Sequence, residues 1–425
     1  MISLGEARSF VLDACAPIAS RAVPIDDAVG CVAAVSVVAT EPVPPFVNSS
    51  MDGYALRSSD TVGASGPERP ARIEVVGTVM AGTPLRTGLG PGQAARIMTG
   101  APLPLGADAV CMLEECRAEA DGSVVLIGRP IRDGMFIRRV GQDVGVGDTV
   151  LEAGAAITAG HVGVLANQGL TEVEVHPRPQ IGILSTGDEL VAGPGPLPPG
   201  RIRDANRHTL LALVRREGWE AVDLGVVGDD EATLGRALDD AAARCDLIVT
   251  SGGVSVGDHD VVKTVLEHCS GGTMRWMQVA IRPAKPFAFG MLAGSGTPVF
   301  GLPGNPVSAM VSFELFVRPA GRLLSGHRTL GRVVVPATAE GAFERRADGK
   351  THFHRSLVRL DDRGSWWVRP MDGQESHQLL TMAESNALAV LPDGDGIPSG
   401  DLVEVMLTDP DRVGTEMATG GGPLR

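Results

Sequence analysis

The clearest pattern in the chain is an alternation of short apolar runs with longer amphipathic segments, beginning near residue 180. The apolar runs predict buried strands, namely QIGILST, AVDLGVV, DLIVTSGG and TPVFGLP. The segments between them carry apolar residues at helical spacing, as in DANRHTLLALVRREG, DDEATLGRALDDAAAR and NPVSAMVSFELFV. Strands that alternate with helices of this length predict an α/β domain with a parallel sheet covered on both faces.

The rest of the chain has shorter repeats that predict β structure. From about residue 71 to 127, short apolar runs separated by Gly-Pro turns predict a small β domain. A short helix is predicted after it, with Thr158 as the N-cap and Gly169 beyond the last turn. From about residue 331, runs such as RVVVPA, FHRSLVRL, WWVRP and NALAVLP predict a C-terminal all-β module. The tail after Asp411 is predicted to be disordered.

Composition and charge limit the classes of molecule that the protein can be expected to bind. The chain has 425 residues and a formal net charge of −14, which argues against a general binder of nucleic acid or of anionic membranes. Six cysteines without a CxxC pair predict neither a zinc site nor a disulfide framework. The N-terminus lacks the features of a secretory signal, and the best apolar run, VGCVAAVSVVA, is too short to cross a membrane. We therefore expect a cytoplasmic protein.

Three loops at the predicted strand ends carry the candidate chemistry: STGDEL, TSGGVSVGDHD and GLPGNPVS. Parallel sheets bind ligands outside the carboxyl ends of their strands, so these loops are expected to meet. In the last loop, Asn305 suits the N-cap and Pro306 the first helical position, so the first free amides and the Ser308 hydroxyl could hold an anion. The alternative for any one loop is ordinary helix capping.

Phosphate binding by a standard nucleotide motif is excluded. No GxGxxG occurs, and Glu344 stands where a P-loop glycine would be needed before the Gly349–Thr351 segment. Carboxylates can instead hold Mg²⁺, which binds phosphate, and Glu189 and Asp260 are the candidate ligands. Their alternative role is to cap helices or to complement the helix dipole in its first turn.

Further polar positions lie outside these loops. Arg282 and Lys285 are set among prolines in AIRPAKPFAFG and are placed for an oxyanion, although a solvated β-hairpin is an equal alternative. Asp52 lies in NSSMDGYAL, and the segments RIMTGAPLP and FIRRVGQDV add Thr99 and Asp143 as possible polar contacts. A metal site at the alternating histidines of THFHR is not expected.

Taken together and in order, these segments resemble the MoeA family of molybdopterin molybdenumtransferases, to which the gephyrin E domain also belongs. The motifs are NSSMDGYAL, RIMTGAPLP, IRRVGQDV, STGDEL, SGGVSVGDHD, RPAKPFAFG, LPGNPVS and NALAVLP. The match covers the chain to about residue 410. It implies a linker domain (1–45 and 140–176), an inserted β domain (46–139), a three-layer molybdopterin-binding α/β domain (177–328) and a C-terminal β-barrel (329–411).

The resemblance also implies a reaction and an assembly. Adenylylated molybdopterin and molybdate are the implied substrates, AMP leaves, molybdenum enters the dithiolene, and Mg²⁺ is required. The implied protein is an elongated homodimer whose active site is shared between subunits, with a molybdopterin adenylyltransferase as the upstream partner. The alternatives are a molybdopterin adenylyltransferase, a gephyrin-like scaffold without enzymatic activity, and a paralogue that handles tungstate.

Residue roles follow from the resemblance position by position. The functional acids map onto Asp52, Asp143, Glu189, Asp229 and Asp260, where Asp230 is the alternative to Asp229, and the metal ligands onto Glu189 and Asp260. Substrate-binding positions map onto Thr99, Ser185, Gly187, Ser251, Gly252, Gly253, Ser255, Arg282, Lys285, Pro303, Asn305, Pro306, Ser308, Arg355 and Ser376. Two positions depart from the family pattern: Arg282 stands where lysine is usual, and Val47 replaces a common aspartate.

Overall fold

The computed structural model describes residues 1–83, 85, 87–253 and 261–414. The chain begins with a helix whose start is closed by a capping box. The Glu6 amide donates to the Ser3 hydroxyl (3.1 Å), and the Ser3 amide donates to the Glu6 carboxylate (2.7 Å). The first elements are α1 (Leu4–Asp13), β1 (Arg21–Pro24), β2 (Val32–Ala33) and β3 (Val37–Val38).

A small β sheet follows, as the Gly-Pro punctuated pattern predicts. Its strands run in the order β8-β5-β7-β6-β10-β9. Gly53 lies where a side chain could not fit, because a β-carbon there would overlap the Cys111 carbonyl of the neighbouring strand. The strands of this region are β4 (Asn48–Ser49), β5 (Gly53–Leu56), β6 (Ala71–Val79), β7 (Gln93–Ile97), β8 (Ala109–Met112), β9 (Cys116–Ala118) and β10 (Val124–Ile127).

The chain then returns to the strands that precede this sheet. The next elements are β11 (Ile137–Arg138), β12 (Thr149–Leu151), α2 (Ala159–Asn167) and β13 (Glu172–His176). β11 pairs with β4, β12 pairs with β3, and β13 lies between β1 and β2. The predicted boundaries of α2 are confirmed: the Thr158 hydroxyl accepts the His161 amide, and Gly169 has a φ of +71°.

The α/β region is built on a mixed sheet with strand order β17-β14-β18-β22-β21-β19. The predicted strands and helices are present, but a purely parallel sheet is wrong, because β21 runs antiparallel to both of its neighbours, β22 and β19. The short links around β21 leave no room for a crossover helix. The elements are β14 (Gln180–Thr186), β15 (Leu190–Val191), β16 (Ile202–Arg203), α3 (Asn206–Arg216), β17 (Glu220–Val227), α4 (Glu231–Ala242), β18 (Leu247–Ser251), α5 (Val261–Cys269), β19 (Arg275–Gln278), β20 (Ile281–Arg282), β21 (Pro286–Met291) and β22 (Pro298–Leu302).

The predicted last helix is longer than its apolar pattern and changes its winding midway. It runs as α6 (Pro306–Ser312), a π-helical stretch (Phe313–Val317) and α7 (Arg318–Leu324). Pro319 lacks an amide proton and cannot donate to the turn before it, which accounts for the wider winding there. The helix packs on the sheet, where Phe316 stacks on Phe287 with 4.1 Å between ring centroids.

The C-terminal region is all-β, as its short strands predict, and it closes into a barrel, as the family resemblance implies. Its strands run β25-β26-β23-β29-β27, and β27 pairs back with β25. β20 of the α/β region adds to this barrel beside β25. The elements are β23 (Val334–Ala339), β24 (Phe343–Glu344), β25 (Thr351–Leu360), β26 (Trp366–Pro370), α8 (Leu379–Glu384), β27 (Ala387–Leu391), β28 (Gly396–Ile397) and β29 (Leu402–Leu407).

The start of the tail is held by the barrel. Arg412, which the sequence places in the disordered tail, donates to the Ala383 carbonyl (2.9 Å) and the Glu384 carbonyl (2.8 Å). Residues 415–425, on which the rest of that prediction falls, lie outside the described residues. In the part of the chain that the structure describes, no helix is both long and apolar enough to cross a membrane.

Candidate functional site

The carboxyl ends of β14 and β18 meet the start of α6 in a cleft of about 150 Å³, here called the strand-end cleft. Its walls bring together the STGDEL loop, the first part of the TSGGVSVGDHD loop and the GLPGNPVS loop, as predicted. The predicted site residues Ser185, Glu189, Ser251, Gly252 and Pro306 line it.

The loop at the end of β18 requires glycine at two positions, Gly252 in the lining of the cleft and Gly253 beside it. Gly252 has a φ of +105°, and a β-carbon there would lie 2.7 Å from the Thr186 carbonyl oxygen. Gly253 has a φ of +70°, and a β-carbon there would overlap the Val262 side chain. Neither position can therefore carry a side chain, and Gly252 leaves bare backbone in the lining of the cleft, which is the surface that a phosphate group can approach most closely.

Asn206 ties two of the three loops together, and the sequence analysis missed it. Its side-chain amide donates to the Ser251 hydroxyl and to the Gly304 carbonyl, both at 2.7 Å. These bonds join the end of β18 to the turn before α6. Because Asn206 is distant from both loops in sequence, its only local signal is a polar residue at the predicted start of a helix.

Ser185 was predicted to bind substrate, but its hydroxyl already has a partner. It donates to the buried Asp204 carboxylate at 2.9 Å. Arg207 completes this network through Asp204 (2.8 Å) and Asp223 (2.5 Å). The network fixes the loop before α3 against β14, so Ser185 positions the wall of the cleft.

The exposed acids at the cleft separate into free and engaged carboxylates. Glu189 is exposed and lies against Gly187, whose φ is +137°. Asp230 is the N-cap of α4 and accepts the Thr233 amide at 2.8 Å. The Thr233 hydroxyl and amide lower the pKa of Asp230. Asp229 is exposed, and within the described residues its carboxylate has no hydrogen-bond partner, which favours it over Asp230 as the functional acid.

A second cavity of about 370 Å³, here called the cation pocket, lies on the other side of the start of α6. It brings together five predicted residues from three separate segments of the chain: Arg282, Lys285, Asn305, Ser308 and Ser376. Lys350 and Glu375 also line it and were not predicted. The Arg282 guanidinium lies 3.8 Å from the Glu375 carboxylate, and both side chains are more than half exposed.

The start of α6 separates the strand-end cleft from the cation pocket and is less open to anions than predicted. Asn305 occupies the N-cap position, but in the described part of the chain its side chain makes no capping bond. The Val307 amide donates to the Ser376 carbonyl of the barrel at 3.1 Å. One of the amides expected to be free is therefore occupied. Pro303 is buried in the turn before the helix.

Arg355 is not in the wall of the cation pocket but behind it. Its guanidinium is fully buried and donates to the Gly373 carbonyl (2.6 Å) and the Glu375 carbonyl (3.1 Å). Burial lowers its pKa to about 10. Among the described residues, its Nε and Nη1 atoms have no partner. Arg355 therefore holds the loop that carries Glu375 and Ser376.

Asp52 and Thr99, the predicted residues of the inserted region, bond to each other, and Asp143 lies in the linker region. The Asp52 carboxylate accepts the Thr99 amide (2.7 Å) and the Thr99 hydroxyl (2.8 Å), and these two bonds lower the pKa of Asp52. Asp143 is exposed, and its amide donates to the Val43 carbonyl at 2.9 Å. Among the residues that the structure describes, no residue of 46–139 lines the strand-end cleft or the cation pocket.

Two predicted residues, Ser255 and Asp260, lie outside the described residues. In the chain without its undescribed segments, no group of three or more His, Cys, Asp or Glu side chains could hold a metal ion. Glu189 is thus the member of the predicted metal pair that the structure describes.

The fold and the two cavities define a multidomain α/β protein with a binding site at its strand ends. Residues 2–169 match the family model "MoeA N-terminal region (domain I and II)". Residues 182–322 match "Probable molybdopterin binding domain", and residues 338–408 match "MoeA C-terminal region (domain IV)".

Relatives over nearly the full length agree with these matches. A molybdopterin molybdenumtransferase of Haemophilus influenzae is 36% identical and covers 95% of this chain and 98% of its own. Molybdopterin molybdenumtransferase 2 of Mycobacterium tuberculosis is 39% identical, with 93% and 94% covered. The crystal structure of a molybdopterin biosynthesis MoeA protein from Pyrococcus horikoshii superposes with a TM-score of 0.81 at 28% identity, covering 96% of this chain and 100% of that one. The chain belongs to the molybdopterin molybdenumtransferase (MoeA) family.

Proposed function

We propose that this protein inserts molybdenum into molybdopterin, taking adenylylated molybdopterin and molybdate as substrates and releasing AMP. The observation that carries the proposal is the pairing of two unlike cavities across the start of α6. One offers glycine backbone and an exposed carboxylate, and the other offers two exposed cations and hydroxyl groups. A nucleotide-linked substrate and a small oxyanion need such neighbouring sites.

The strand-end cleft suits the phosphate groups of the nucleotide. Gly252 and Gly253 let the phosphates approach the backbone without a side chain in between. Asn206 holds the end of β18 next to the turn before α6, which preserves the shape of this surface. This cleft therefore orients the phosphoanhydride that is to be cleaved.

The exposed carboxylate of the cleft is the type of ligand that Mg²⁺ prefers, since this ion binds carboxylate oxygen and keeps several of its waters. Glu189 supplies an exposed carboxylate that, within the described residues, has no cationic partner. In this proposal Glu189 and Asp260 hold the ion, which supplies positive charge against the phosphates when bound. Asp229 and Asp143 are the further acids that we assign to the site.

The cation pocket suits the molybdate dianion. Lys285 is exposed and has no ion pair among the described residues, so its charge is available to an oxyanion. Arg282 adds a planar pair of donors, and Ser308 is a nearby hydroxyl on α6. Arg355 acts indirectly here, by holding the loop that brings Ser376 to the pocket.

The reaction is tested by incubating the purified protein with adenylylated molybdopterin and molybdate while AMP and molybdenum cofactor are measured. We expect both products to appear together and to require Mg²⁺. If ATP and molybdopterin are instead converted to adenylylated molybdopterin and pyrophosphate, the protein is an adenylyltransferase. If neither reaction occurs, a scaffold role replaces the enzymatic one. Replacing molybdate with tungstate in the same assay tests the metal preference.

We further propose a homodimer with shared active sites, in a cytoplasmic protein supplied by a molybdopterin adenylyltransferase. The support is that Asp52 and Thr99 bond to each other but, among the described residues, line neither cavity of their own chain. A two-fold partner could bring this pair to the strand-end cleft of the other subunit.

Mixing two inactive variants tests the shared site. Asp52→Ala and Glu189→Gln subunits should each be inactive alone, whereas mixed dimers contain one intact site. Statistical exchange makes about half of the dimers mixed, so recovery should reach roughly a quarter of wild-type sites. No recovery after verified subunit exchange would place the whole site within one chain.

A further inference from the structure

Two cysteines of the inserted β sheet lie with their sulfur atoms in contact. Cys111 is the third residue of β8, Cys116 begins β9, and Met112 and a single 3₁₀ turn (Leu113–Glu115) lie between them. Their Sγ atoms are 3.1 Å apart, and both are free thiols. The other four cysteines have no sulfur partner within the described part of the chain. The pair is therefore a distinct chemical feature that the proposed reaction does not use.

The two thiols differ in their access to solvent. Cys111 is fully buried against Tyr54 and Ile127. Cys116 is half-buried and lines a surface cavity of about 280 Å³ with Glu115 and other residues. A small molecule can therefore reach Cys116 first, while Cys111 can react only with its neighbour.

The contact between the two sulfur atoms makes the thiols of the reduced pair unequal. The Cys116 S–H group donates to the Cys111 sulfur, and this bond lowers the pKa of Cys111 and raises that of Cys116. The Arg129 guanidinium also lowers the pKa of Cys111, while it pairs with the Glu115 carboxylate. These shifts belong to the reduced pair, so the order of reaction rests on access: Cys116 lines the cavity, and the buried Cys111 sulfur lies 3.1 Å from it.

We propose that Cys111 and Cys116 are a modification site that forms a reversible disulfide when a small peroxide enters the cavity beside Cys116. The Cys116 sulfur attacks one peroxide oxygen, the O–O bond breaks, and one water leaves, giving a sulfenic acid. The Cys111 sulfur then attacks the Cys116 sulfur, the S–O bond breaks, and a second water leaves. Two thiols thus lose two protons and two electrons, which one hydrogen peroxide takes up.

The disulfide would close the turn on which the Asp52 segment rests. The Leu113 amide, inside this turn, donates to the Asp52 carbonyl at 3.1 Å. Gly53 pairs with Met112 and abuts the Cys111 carbonyl. Oxidation therefore reduces the conformational freedom of the backbone that supports Asp52. It does not change the strand-end cleft or the cation pocket.

Thiol counting on the full-length protein tests the site without any assay of activity. After treatment with dilute hydrogen peroxide and denaturation, we expect the free thiols to fall from six to four. Proteolysis and mass spectrometry should find one peptide pair joined through Cys111 and Cys116, and dithiothreitol should restore all six thiols. Slower amide exchange at Leu113 should accompany oxidation.

Two variants serve as controls. Cys116→Ser has five thiols and should keep all five under the same treatment, whereas Cys15→Ser should lose two of its five. Equal thiol loss in wild type and Cys116→Ser would overturn the proposal. So would oxidation of Cys116 without a link to Cys111. Because the peptide map is made on the wild-type protein, it decides the matter even if a serine variant folds poorly.

Discussion

The strand-end cleft and the cation pocket share the start of α6, yet they are built on different principles. The cleft is formed within one sheet edge, by glycine backbone and by the hydrogen bonds of Asn206 and Asp204. The cation pocket lies where a loop of the α/β region meets the barrel, and its charges are exposed side chains. One cavity is thus a rigid backbone surface, and the other is a set of charges brought together by tertiary contact.

This difference matters for what each cavity can hold. Backbone groups in a fixed arrangement recognise the shape of a substrate that is already positioned by its larger parts. Exposed cations attract a small dianion at a distance and lose strength as salt is added. We therefore expect substitutions in the cleft to affect turnover, and substitutions in the pocket to affect the molybdate requirement.

The largest effect is expected at Glu189. Glu189→Gln keeps the size of the side chain but removes its charge, and should lower the rate of AMP release on the order of 100-fold, as loss of one electrostatic stabiliser does. The rate should be measured across Mg²⁺ concentrations. Asp188→Asn is the matched control, since an asparagine oxygen can still accept the Asp229 amide. An equal loss of AMP release in both variants would mean that the rate depends on the local negative charge and not on Glu189 itself.

A smaller effect, confined to molybdate, is expected at Lys285. Lys285→Ala removes a charged donor worth about 1.4 kcal/mol or more, so the half-saturating molybdate concentration should rise roughly tenfold. Lys350→Ala is the control from the same pocket, because Lys350 already pairs with Asp348 at 2.7 Å. If Lys285→Ala weakens nucleotide binding instead, the division between the two cavities is wrong.

Loss of Asn206 should loosen the strand-end cleft while the cation pocket stays intact. Asn206→Ala removes two hydrogen bonds and should lower the free energy of unfolding by about 1–2 kcal/mol. The turnover rate should fall severalfold, with an unchanged molybdate requirement. Asn305→Ala is the control for the unfolding measurement alone, since its side chain makes no capping bond among the described residues. Chemical denaturation and steady-state kinetics measure the two effects.

Acidification should lower the stability of the C-terminal barrel in particular. Burial, followed by the nearby charge of His352, lowers the pKa of His354 from 6.5 to about 4. The unfolded chain therefore binds a proton between pH 6.5 and 4 that the folded protein does not, and stability falls as the pH drops through this window. We expect a loss on the order of 1 kcal/mol between pH 7 and 5.

Two variants assign this acid sensitivity. Urea unfolding of His354→Gln at pH 7 and pH 5 should show a smaller difference than the wild type does. His268→Gln replaces an exposed histidine of α5 and should leave the difference unchanged. The same pH dependence in wild type and His354→Gln would assign the effect to another group. Among the described residues, no histidine lines the strand-end cleft.

Much of the fold was predictable because its signals are local. The apolar runs of β14 and β18 and the caps of α2 depend on residues next to one another, and the structure has them where the pattern predicts. The antiparallel direction of β21 was missed because a run such as PFAFG looks alike in both directions. Its direction depends on how many residues connect it to its neighbour.

The candidate site was predictable only in part, because its contacts are distant in sequence. The glycines at 252 and 253 predict that another group approaches the backbone closely. Arg282 and Lys285 predict a site for an anion. The partner of Ser185, by contrast, is an aspartate that no local pattern connects with it. Arg355 occupies a strand position that shows no sign of its burial.

The pairing of β20 with β25 couples the proposed oxyanion site to the stability of the barrel. Arg282 belongs to a strand that is bonded to His352 and Thr351 of the barrel wall, although it is encoded within the α/β region. An oxyanion that binds only the assembled pocket stabilises that assembly by about 1.4 kcal/mol for each tenfold excess over its dissociation constant. By thermodynamic linkage, the melting temperature of the barrel should therefore rise with the oxyanion concentration.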